Sequence, residues 1–406
     1  MIHNESKVYR VIMVSLTCSY YQVDLFRDLS SNSRIDLTVY FCSEEAIPGK
    51  DLSLMFNTDA KWGGEDGLLR GYKYRFLKNY SPWPSYLKAY YGLMNFGIWK
   101  EISKERPDVV IIMGWNNPTW WIAMLACLRR KIPFCFMSDT NIQGESKRSK
   151  TVKWFKKAFL GILQFPLAAG FLCSGSANKR FYEHFGIPGH KLIPFAYSWG
   201  YKEFLQNTDG YLESKDTLRR ELLIDNADRV ILYCGRFVRE KNLHNLIDAY
   251  DEAYTESSKL ILVGDGELGH ELRALATSKN NGSIQFHGFQ NRKEISKYYA
   301  VADYLVLASS RETWGLVVNE AMCFGLPILT SNQVGSSDDL VQHGVNGFVF
   351  PGDDVNALSD ALSQAMALPE EERKRMGSKS REMISDWANR DIAAPFLEFM
   401  DRNLKR

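Results

Sequence analysis

Short, continuously apolar runs alternate with longer helical patterns from one end of the chain to the other, and that alternation restricts the folds open to it. The runs are Val8–Leu16, Ile35–Phe41, Val109–Met113, Pro133–Met137 and Gly170–Cys173 in the first half. In the second they are Val230–Tyr233, Leu260–Val263, Ile284–His287, Tyr304–Leu307, Pro327–Thr330 and Phe348–Phe350. A strand with one wet face alternates apolar and polar residues, whereas a strand buried on both faces of a parallel sheet is apolar throughout. The pattern predicts an α/β chain of two Rossmann-like, doubly wound parallel-sheet domains. Its 406 residues are too many for one compact domain of ordinary size. A cleft between two domains is then the expected place for chemistry. A polar stretch around Phe195–Ser214, with Gly200, Asn207 and Gly210, is the expected linker. It leaves a first domain over 1–200 and a second over 210–387, and the last helical pattern, 388–406, is expected to cross back to the first.

Composition narrows the class. Apolar residues at 45% and charged residues at 24% are those of a globular protein, neither disordered nor membrane-embedded. The seven cysteines form no C-x-x-C pair and have no His at ligand spacing, so they read as small core residues of a reducing compartment. The start, MIHNESKVYRVIMVSLTC, lacks the apolar core and cleavage site of a signal peptide, and a cytoplasmic chain is expected. The net charge of +2 hides an asymmetry: residues 1–205 carry 27 Lys and Arg against 17 Asp and Glu, and residues 206–406 carry 23 against 31. A basic half suggests an anionic partner; a solvated basic face is the plainer alternative.

Three stretches of the second half carry chemistry. In Arg311-Glu312-Thr313-Trp314-Gly315-Leu316-Val317-Val318-Asn319-Glu320, Gly315 permits a sharp strand-to-helix turn, and the helix is expected to run to about Cys323 before Gly325 and Pro327 end it. A helix starting there presents N–H groups and a positive dipole end to a phosphate. Glu312 in the loop suits sugar hydroxyls, and Glu320 on the helix suits those of a ribose. In Tyr233-Cys234-Gly235-Arg236-Phe237-Val238-Arg239-Glu240-Lys241, Arg236 and Lys241 lie just past a strand, where open α/β sheets bind ligands. Two cations there suit a diphosphate, though ordinary surface charges would look the same. Gly264-Asp265-Gly266-Glu267-Leu268-Gly269 spells the dinucleotide fingerprint, but no Asp or Glu occurs between Glu271 and Glu294, where a ribose-binding acid belongs.

Together these stretches, with His287-Gly288-Phe289, Gly335 and Gly344-Val345-Asn346-Gly347-Phe348, resemble the donor domain of the retaining glycosyltransferases of family 4, group 1 glycosyl transferases of the GT-B fold. The resemblance covers roughly residues 230–355. It implies two Rossmann-like domains facing a central cleft, and a nucleotide-sugar donor, UDP-sugar or GDP-sugar, as substrate with no cofactor. It assigns Gly235, Arg236 and Lys241 to the diphosphate, Glu312 to the sugar and Glu320 to the ribose. It further assigns the backbone of Trp314, Gly315, Leu316 and Val317 to phosphate and sugar, and the loops of Gly264, Asp265, Gly266 and Phe289 to the base. Transfer in this family is usually written as same-face attack with the leaving diphosphate taking the acceptor proton, so that Arg236, Lys241 and Glu312 act by position and charge. No D-x-D occurs in the sequence, and metal-independent transfer is expected.

The first half matches less closely. The loop after its first strand, Leu16-Thr17-Cys18-Ser19-Tyr20-Tyr21-Gln22, has no glycine, and Gly114-Trp115-Asn116-Asn117-Pro118 replaces the histidine many members carry. Asn116 and Asn117 suit hydrogen bonds to an acceptor but not proton abstraction near neutral pH. Asp139 is the best-placed ionisable group, or else a helix cap. From 147 to 157 there are six cations, Lys147, Arg148, Lys150, Lys153, Lys156 and Lys157, ahead of an apolar run too short to span a bilayer. That unit reads either as a peripheral anchor on an anionic membrane or as a solvated helix face. The function expected is sugar transfer to a polysaccharide or lipid-linked acceptor at the cytoplasmic membrane face. A nucleotide-sugar epimerase or hydrolase of the same architecture is the alternative, and a non-catalytic nucleotide-sugar-binding subunit a third reading; no role in nucleic-acid binding is expected.

Overall fold

The computed structural model describes residues 7–44, 67–85, 88, 90–143, 149–196, 202–279 and 282–404. They divide into two compact units, one from the chain before residue 201 together with Arg390–Arg406, the other from Tyr201–Asn389.

The first unit is a seven-stranded sheet in the order β3-β2-β1-β4-β5-β6-β7. Its strands are β1 (Tyr9–Thr17), β2 (Ile35–Ser43), β3 (Lys73–Phe76), β4 (Val109–Met113), β5 (Phe134–Ser138), β6 (Gly170–Cys173) and β7 (Leu192–Pro194). Every pairing is parallel. Residues predicted as strands from their apolar runs are the buried ones: Val11 to Val14 of β1 and Val109 to Ile112 of β4 are at most 1% exposed. β3 carries no such signal, because its residues Lys73, Tyr74 and Arg75 are exposed at the sheet edge. Helix Ala393–Asn403 belongs to this unit, seated where Gly170 leaves room for the Phe399 ring; a Cβ on Gly170 would lie 2.8 Å from it. Asp401 fastens the helix to the sheet by accepting from the Tyr9 hydroxyl at 2.8 Å and from Arg34 at 2.6 Å.

The second unit repeats the order with one strand fewer, β10-β9-β8-β11-β12-β13. These are β8 (Arg229–Cys234), β9 (Ser258–Val263), β10 (Ile284–His287), β11 (Tyr304–Leu307), β12 (Ile328–Ser331) and β13 (Gly347–Phe350), again all parallel. In each sheet the order reverses direction beside its first strand, between β1 and β4 and between β8 and β11. Such switch points are where doubly wound sheets take ligands.

The stretch expected to be a linker is instead largely a helix of the second unit, Lys202–Glu213. Phe204, Thr208 and Tyr211 follow helical spacing and face inward, Phe204 against Tyr299 and Phe324 with centroids 6.2 Å apart and Tyr211 against Phe324 at 6.3 Å. Asn207 and Gly210 are polar or small, and they mask the pattern. Beneath it a buried charge cluster ties the next helix, Lys215–Glu221, to the sheet. Arg219 donates to Asp303 at 2.8 Å and to the Val301 carbonyl at 2.9 Å, Arg373 and Lys215 approach the same carboxylate at 3.0 and 3.4 Å, and the Val230 N–H donates to it at 2.9 Å. Burial pushes the Asp303 carboxyl up, but the cations Lys215, Arg373 and Arg219 outweigh it and hold the group below the usual range.

Candidate functional site

The loops that leave β8 and β11 meet at the second switch point. The Lys241 ammonium is paired with the Glu312 carboxylate, both side chains 16% exposed, and the Ser310 N–H donates to the Glu240 carbonyl at 2.8 Å. Parallel strand register makes this meeting inevitable: Tyr304 lies beside Ile231 and Leu305 beside Leu232, so the two chains emerge side by side. Arg236 lies on the same loop with an exposed side chain, and its carbonyl accepts from the buried Tyr233 hydroxyl at 2.9 Å.

Glu312 is fixed by its backbone. It bridges to Val334, its N–H donates to the Gln333 carbonyl at 3.2 Å, and its carbonyl accepts from Gly335 at 3.1 Å. Gly315 then opens helix Leu316–Cys323 with φ +90°, and a Cβ there would meet Leu307 at 3.0 Å and Val334 at 3.1 Å. Only glycine fits a left-handed position so enclosed. Trp314 is 4% exposed, donates to Asn319 at 2.9 Å and packs on Trp387, so its indole secures the helix while its backbone stays at the turn. The first N–H groups of Leu316 and Val317 have no acceptor within their own helix, the usual condition for holding a phosphate.

Glu320 is one helical turn further on. Its carboxylate accepts from the Tyr299 hydroxyl at 2.7 Å. Tyr299 is fully buried, and burial, reinforced by Glu320, keeps its hydroxyl protonated well above the ordinary range. The sequence did not single out Tyr299, because a tyrosine in Arg292–Val301 is indistinguishable there from any core aromatic.

The Gly264-Asp265-Gly266 turn explains its glycines without a dinucleotide. A Cβ on Gly264 would lie 1.9 Å from the Gly235 carbonyl oxygen, and one on Gly266 2.6 Å from that of Phe237. Phe237 N–H donates to Asp265 O at 2.8 Å, Gly235 N–H to Val263 O at 3.0 Å and Gly264 N–H to His287 O at 3.0 Å, so the loops after β8, β9 and β10 are laced edge to edge. The Asp265 carboxylate accepts from Gly266 N–H at 2.8 Å and shapes its own turn. Phe289 is half-buried in the loop after β10.

In the first unit the switch-point loop is Gly114–Asn117. Asn117 caps helix Pro118–Arg130 in position only; it is 3% exposed, and among the described residues its side-chain oxygen has no hydrogen-bond partner. Asn116 accepts from Tyr90 N–H at 2.7 Å through its carbonyl. Asp139 is exposed in the loop after β5. Asn116 and Asn117 follow β4, whereas Asp139 follows the neighbouring strand β5. Trp115 was overlooked by sequence reasoning, yet its carbonyl accepts from Trp121 at 2.9 Å and from Gln164 at 3.3 Å.

The described part of the basic segment lies in helix Lys150–Lys156, and the chain continues as a π-helix over Lys157–Gln164 and closes with a 3₁₀ turn, Phe165–Leu167. Lys147 and Arg148 lie outside the described residues. Lys150 and Lys157 are exposed. Lys156 departs from the expected surface role: its ammonium turns inward over the rings of Phe181, Phe185 and Trp115 at 5.0, 5.6 and 5.7 Å, where the ring faces attract it. The outward positions are apolar instead, with Trp154, Phe155, Ile162 and Leu163 each more than 60% exposed. Among the described residues no helix is long and apolar enough to cross a membrane.

All seven cysteines are free and buried, as their spacing suggested.

With this geometry in hand, residues 214–383 match the family described as glycosyl transferases group 1. Curated relatives include N-acetyl-alpha-D-glucosaminyl L-malate synthase of Bacillus anthracis, 28% identical over 41% of this chain and 43% of its own length. Another is alpha-monoglucosyldiacylglycerol synthase of Acholeplasma laidlawii, 33% identical over 34% of this chain and 35% of its own. The matched part is thus at most about half the length of these relatives. Among solved structures, Anabaena HepE in complex with UDP superposes with a TM-score of 0.70 at 17% identity, covering 97% of this chain and 99% of that one. The lipopolysaccharide outer core galactosyltransferase WaaB gives 0.67 at 14%, covering 97% and 99%. Two Rossmann-like units with these neighbours are the GT-B fold, and the second unit carries the glycosyl transferases group 1 match over residues 214–383.

Proposed function

We propose that the protein is a retaining, metal-independent glycosyltransferase that moves a sugar from a UDP-sugar or GDP-sugar to a glycan or lipid-linked acceptor at the cytoplasmic face of a membrane. The observation that carries this reading is the Lys241–Glu312 pair beside the Gly315 turn. In a nucleotide sugar the anomeric carbon is bonded directly to the terminal phosphate, so a group that grips the sugar and a cation that grips that phosphate must be neighbours. Glu312 and Lys241 are. As the sugar–phosphate bond breaks, charge grows on the diphosphate, and Lys241, Arg236 and the N–H groups of Leu316 and Val317 are set to stabilise it. Glu320, steered by Tyr299, suits ribose hydroxyls. The departing phosphate oxygen would accept the acceptor's proton, and no side chain in the first unit is required as base. The epimerase or hydrolase alternative needs such a group and has no support here.

HepE binds UDP in its solved structure and the A. laidlawii relative is named for a lipid product; both favour this donor and acceptor class without establishing either for this chain. A thermal-shift screen of UDP, GDP and ADP with their sugars is the first test, since a ligand at 100 times its Kd adds about 2.7 kcal/mol. A rise with UDP or GDP, followed by turnover that persists in EDTA and yields the donor's anomeric configuration, is expected. No rise with any of them removes the reading; inversion, or dependence on added magnesium or manganese, removes the finer mechanism.

A further inference from the structure

At the amino ends of β1, β4 and β5, the end of the first sheet away from Asn116 and Asn117, lies a cavity of about 940 Å³. Six cations line it, Lys7, Arg10, Arg106, Arg129, Arg130 and Lys131, against one carboxylate, Asp108, which is already engaged by Lys7 at 3.5 Å and by the Arg10 N–H at 2.9 Å. Helices Gly97–Glu105 and Pro118–Arg130 both end here, and each carboxyl end is equivalent to roughly half a negative charge. The cations exceed all of this. The floor is apolar, with Leu128, Ile132, Phe134, Leu167 and Leu404.

An exposed apolar strip leads away from the cavity. Trp121, Leu125 and Leu128 fall on one face of helix Pro118–Arg130, with Leu125 51% and Leu128 39% exposed. The π-helical segment lies along that face: Phe159 contacts Trp121 with centroids 6.5 Å apart, and Leu167, just beyond the segment, shares the cavity wall with Leu128. Ile162 and Leu163, between those two anchor points, are 71% and 63% exposed. Large apolar side chains grouped in this way on a surface mark a docking face. A soluble phosphate ester would occupy the cavity and leave the strip uncovered. Nucleic acid would meet the cations but has no use for the leucines. An anionic phospholipid satisfies both, with a phosphate for the cations and an acyl boundary for the strip.

We propose that this face docks on an anionic phospholipid surface, with a lipid phosphate in the cation-lined cavity and Leu128, Ile162, Leu163 and Leu167 in the acyl boundary. The inference rests on the membrane-acceptor reading above and adds to it a second pole of attachment, distinct from Lys150, Lys153 and Lys157. Helix Pro118–Arg130 connects the two ends of this face: its 13 residues span about 20 Å, from Asn117 at one end to the cavity at the other. An acceptor carried in the same lipid surface then reaches the Asn116–Asn117 loop along the membrane plane.

The test is sedimentation of the full chain with vesicles of phosphatidylcholine, with and without phosphatidylglycerol. The same preparations are checked for UDP binding by thermal shift. Wild type is expected to sediment with the phosphatidylglycerol vesicles. R129Q/R130Q should weaken partition about 5-fold per charge, near 25-fold together, as expected for cations at an anionic surface. I162D/L163D should weaken it as well, and every variant should keep the wild-type response to UDP. Partition of R129Q/R130Q equal to wild type overturns the proposal, as does equal sedimentation of wild type with vesicles that lack phosphatidylglycerol. Loss confined to K150Q/K153Q/K157Q also overturns it, while leaving membrane attachment intact. Failure of wild type to respond to UDP strikes the glycosyltransferase reading instead, whatever the vesicles show.

Discussion

At the carboxyl edge of the second sheet, backbone packs on backbone, whereas at the matching edge of the first, side chains fill the space. Gly264 and Gly266 press against the carbonyls of Gly235 and Phe237, and a charged pair spans the two loops at the switch point. In the first unit Gly114 meets the Trp120 indole instead, Asn117 is buried with its side-chain oxygen unpartnered among the described residues, and Trp115 is gripped by Trp121, Gln164 and Lys156. Strand order is shared, and on the proposed function the difference follows what each edge would recognise. A diphosphate is the same in every nucleotide-sugar donor and can be met by fixed N–H groups and cations. An acceptor varies, and a surface of aromatic and amide side chains can be rebuilt around it without disturbing the sheet.

The largest contrast should appear in stability. Asp303→Asn leaves Arg219, Arg373 and Lys215 without their carboxylate in a buried site, and removing one partner of such a cluster costs about 3–5 kcal/mol. Asp401→Asn removes the corresponding anchor of the first unit, but Asp401 is 42% exposed and the loss should be about 1 kcal/mol or less. Urea unfolding of both variants measures the gap; equal losses would mean the second unit's charges are not the stronger fastening. Because the Asp303 carboxyl sits below its usual range when folded, its contribution is present above the ordinary carboxylate pKa and disappears as pH falls through the folded value.

Next in size is catalysis. Lys241→Ala should lower kcat more than it raises KM, by roughly 10- to 150-fold, the equivalent of about 1.5–3 kcal/mol for a charge-assisted hydrogen bond. Asn117→Ala should raise the acceptor KM and leave donor constants alone. Steady-state kinetics with each substrate varied in turn distinguish the two edges, and a donor effect from Asn117 would erase the distinction.

The carboxyl edge of the second sheet was legible because its constraints are written in residue types. Gly315 has to be glycine to adopt φ +90° between Leu307 and Val334, Gly264 has to be glycine to approach Gly235, and charged residues past predicted strands identify the switch point. Tyr299 was not legible, since its role depends on a helix packing its hydroxyl onto Glu320. The helix Lys202–Glu213 was read as a linker because three inward residues among polar ones are a weak signal, and β3 was missed because an exposed edge strand need not be apolar. The inward turn of Lys156 is a tertiary event: nothing in a run of lysines says which one finds an aromatic cage.

A smaller effect should divide the two glutamates of the donor edge. Glu320→Ala should raise donor KM and weaken free nucleoside diphosphate to the same degree, about 1–1.5 kcal/mol for an ordinary hydrogen bond. Glu312→Ala should impair transfer while free diphosphate binds nearly as before. Isothermal titration of the diphosphate against both variants decides; equal weakening would mean that Glu312 does not act on the sugar alone.

The least effect expected comes from His287, whose carbonyl ties the β9 loop to β10 and whose ring contacts Tyr298 and Gln285. Burial lowers its pKa, so the unfolded chain takes up the proton more readily than the folded one. Stability should therefore be unaffected above the ordinary histidine range and decline as pH falls from about 6.5 toward the folded value. Melting temperature against pH for wild type and His287→Gln reads this: the variant should lose that segment of the slope.

The buried cysteines give each unit a chemical reporter of its own. Burial pushes the thiols of Cys127, Cys135 and Cys173 up to about 12 and those of Cys234 and Cys323 well above their ordinary value. A thiol so rarely ionised is almost inert to alkylation while its surroundings stay closed, because the thiolate is the reacting form. Cys127, Cys135 and Cys173 belong to the first unit, and Cys234 and Cys323 to the second. The pace at which a short pulse of iodoacetamide marks each set is therefore a clock for the opening of that unit alone. The wild-type chain carries this pair of clocks without any engineered label, and a nucleotide that steadies only the second unit should slow only the second.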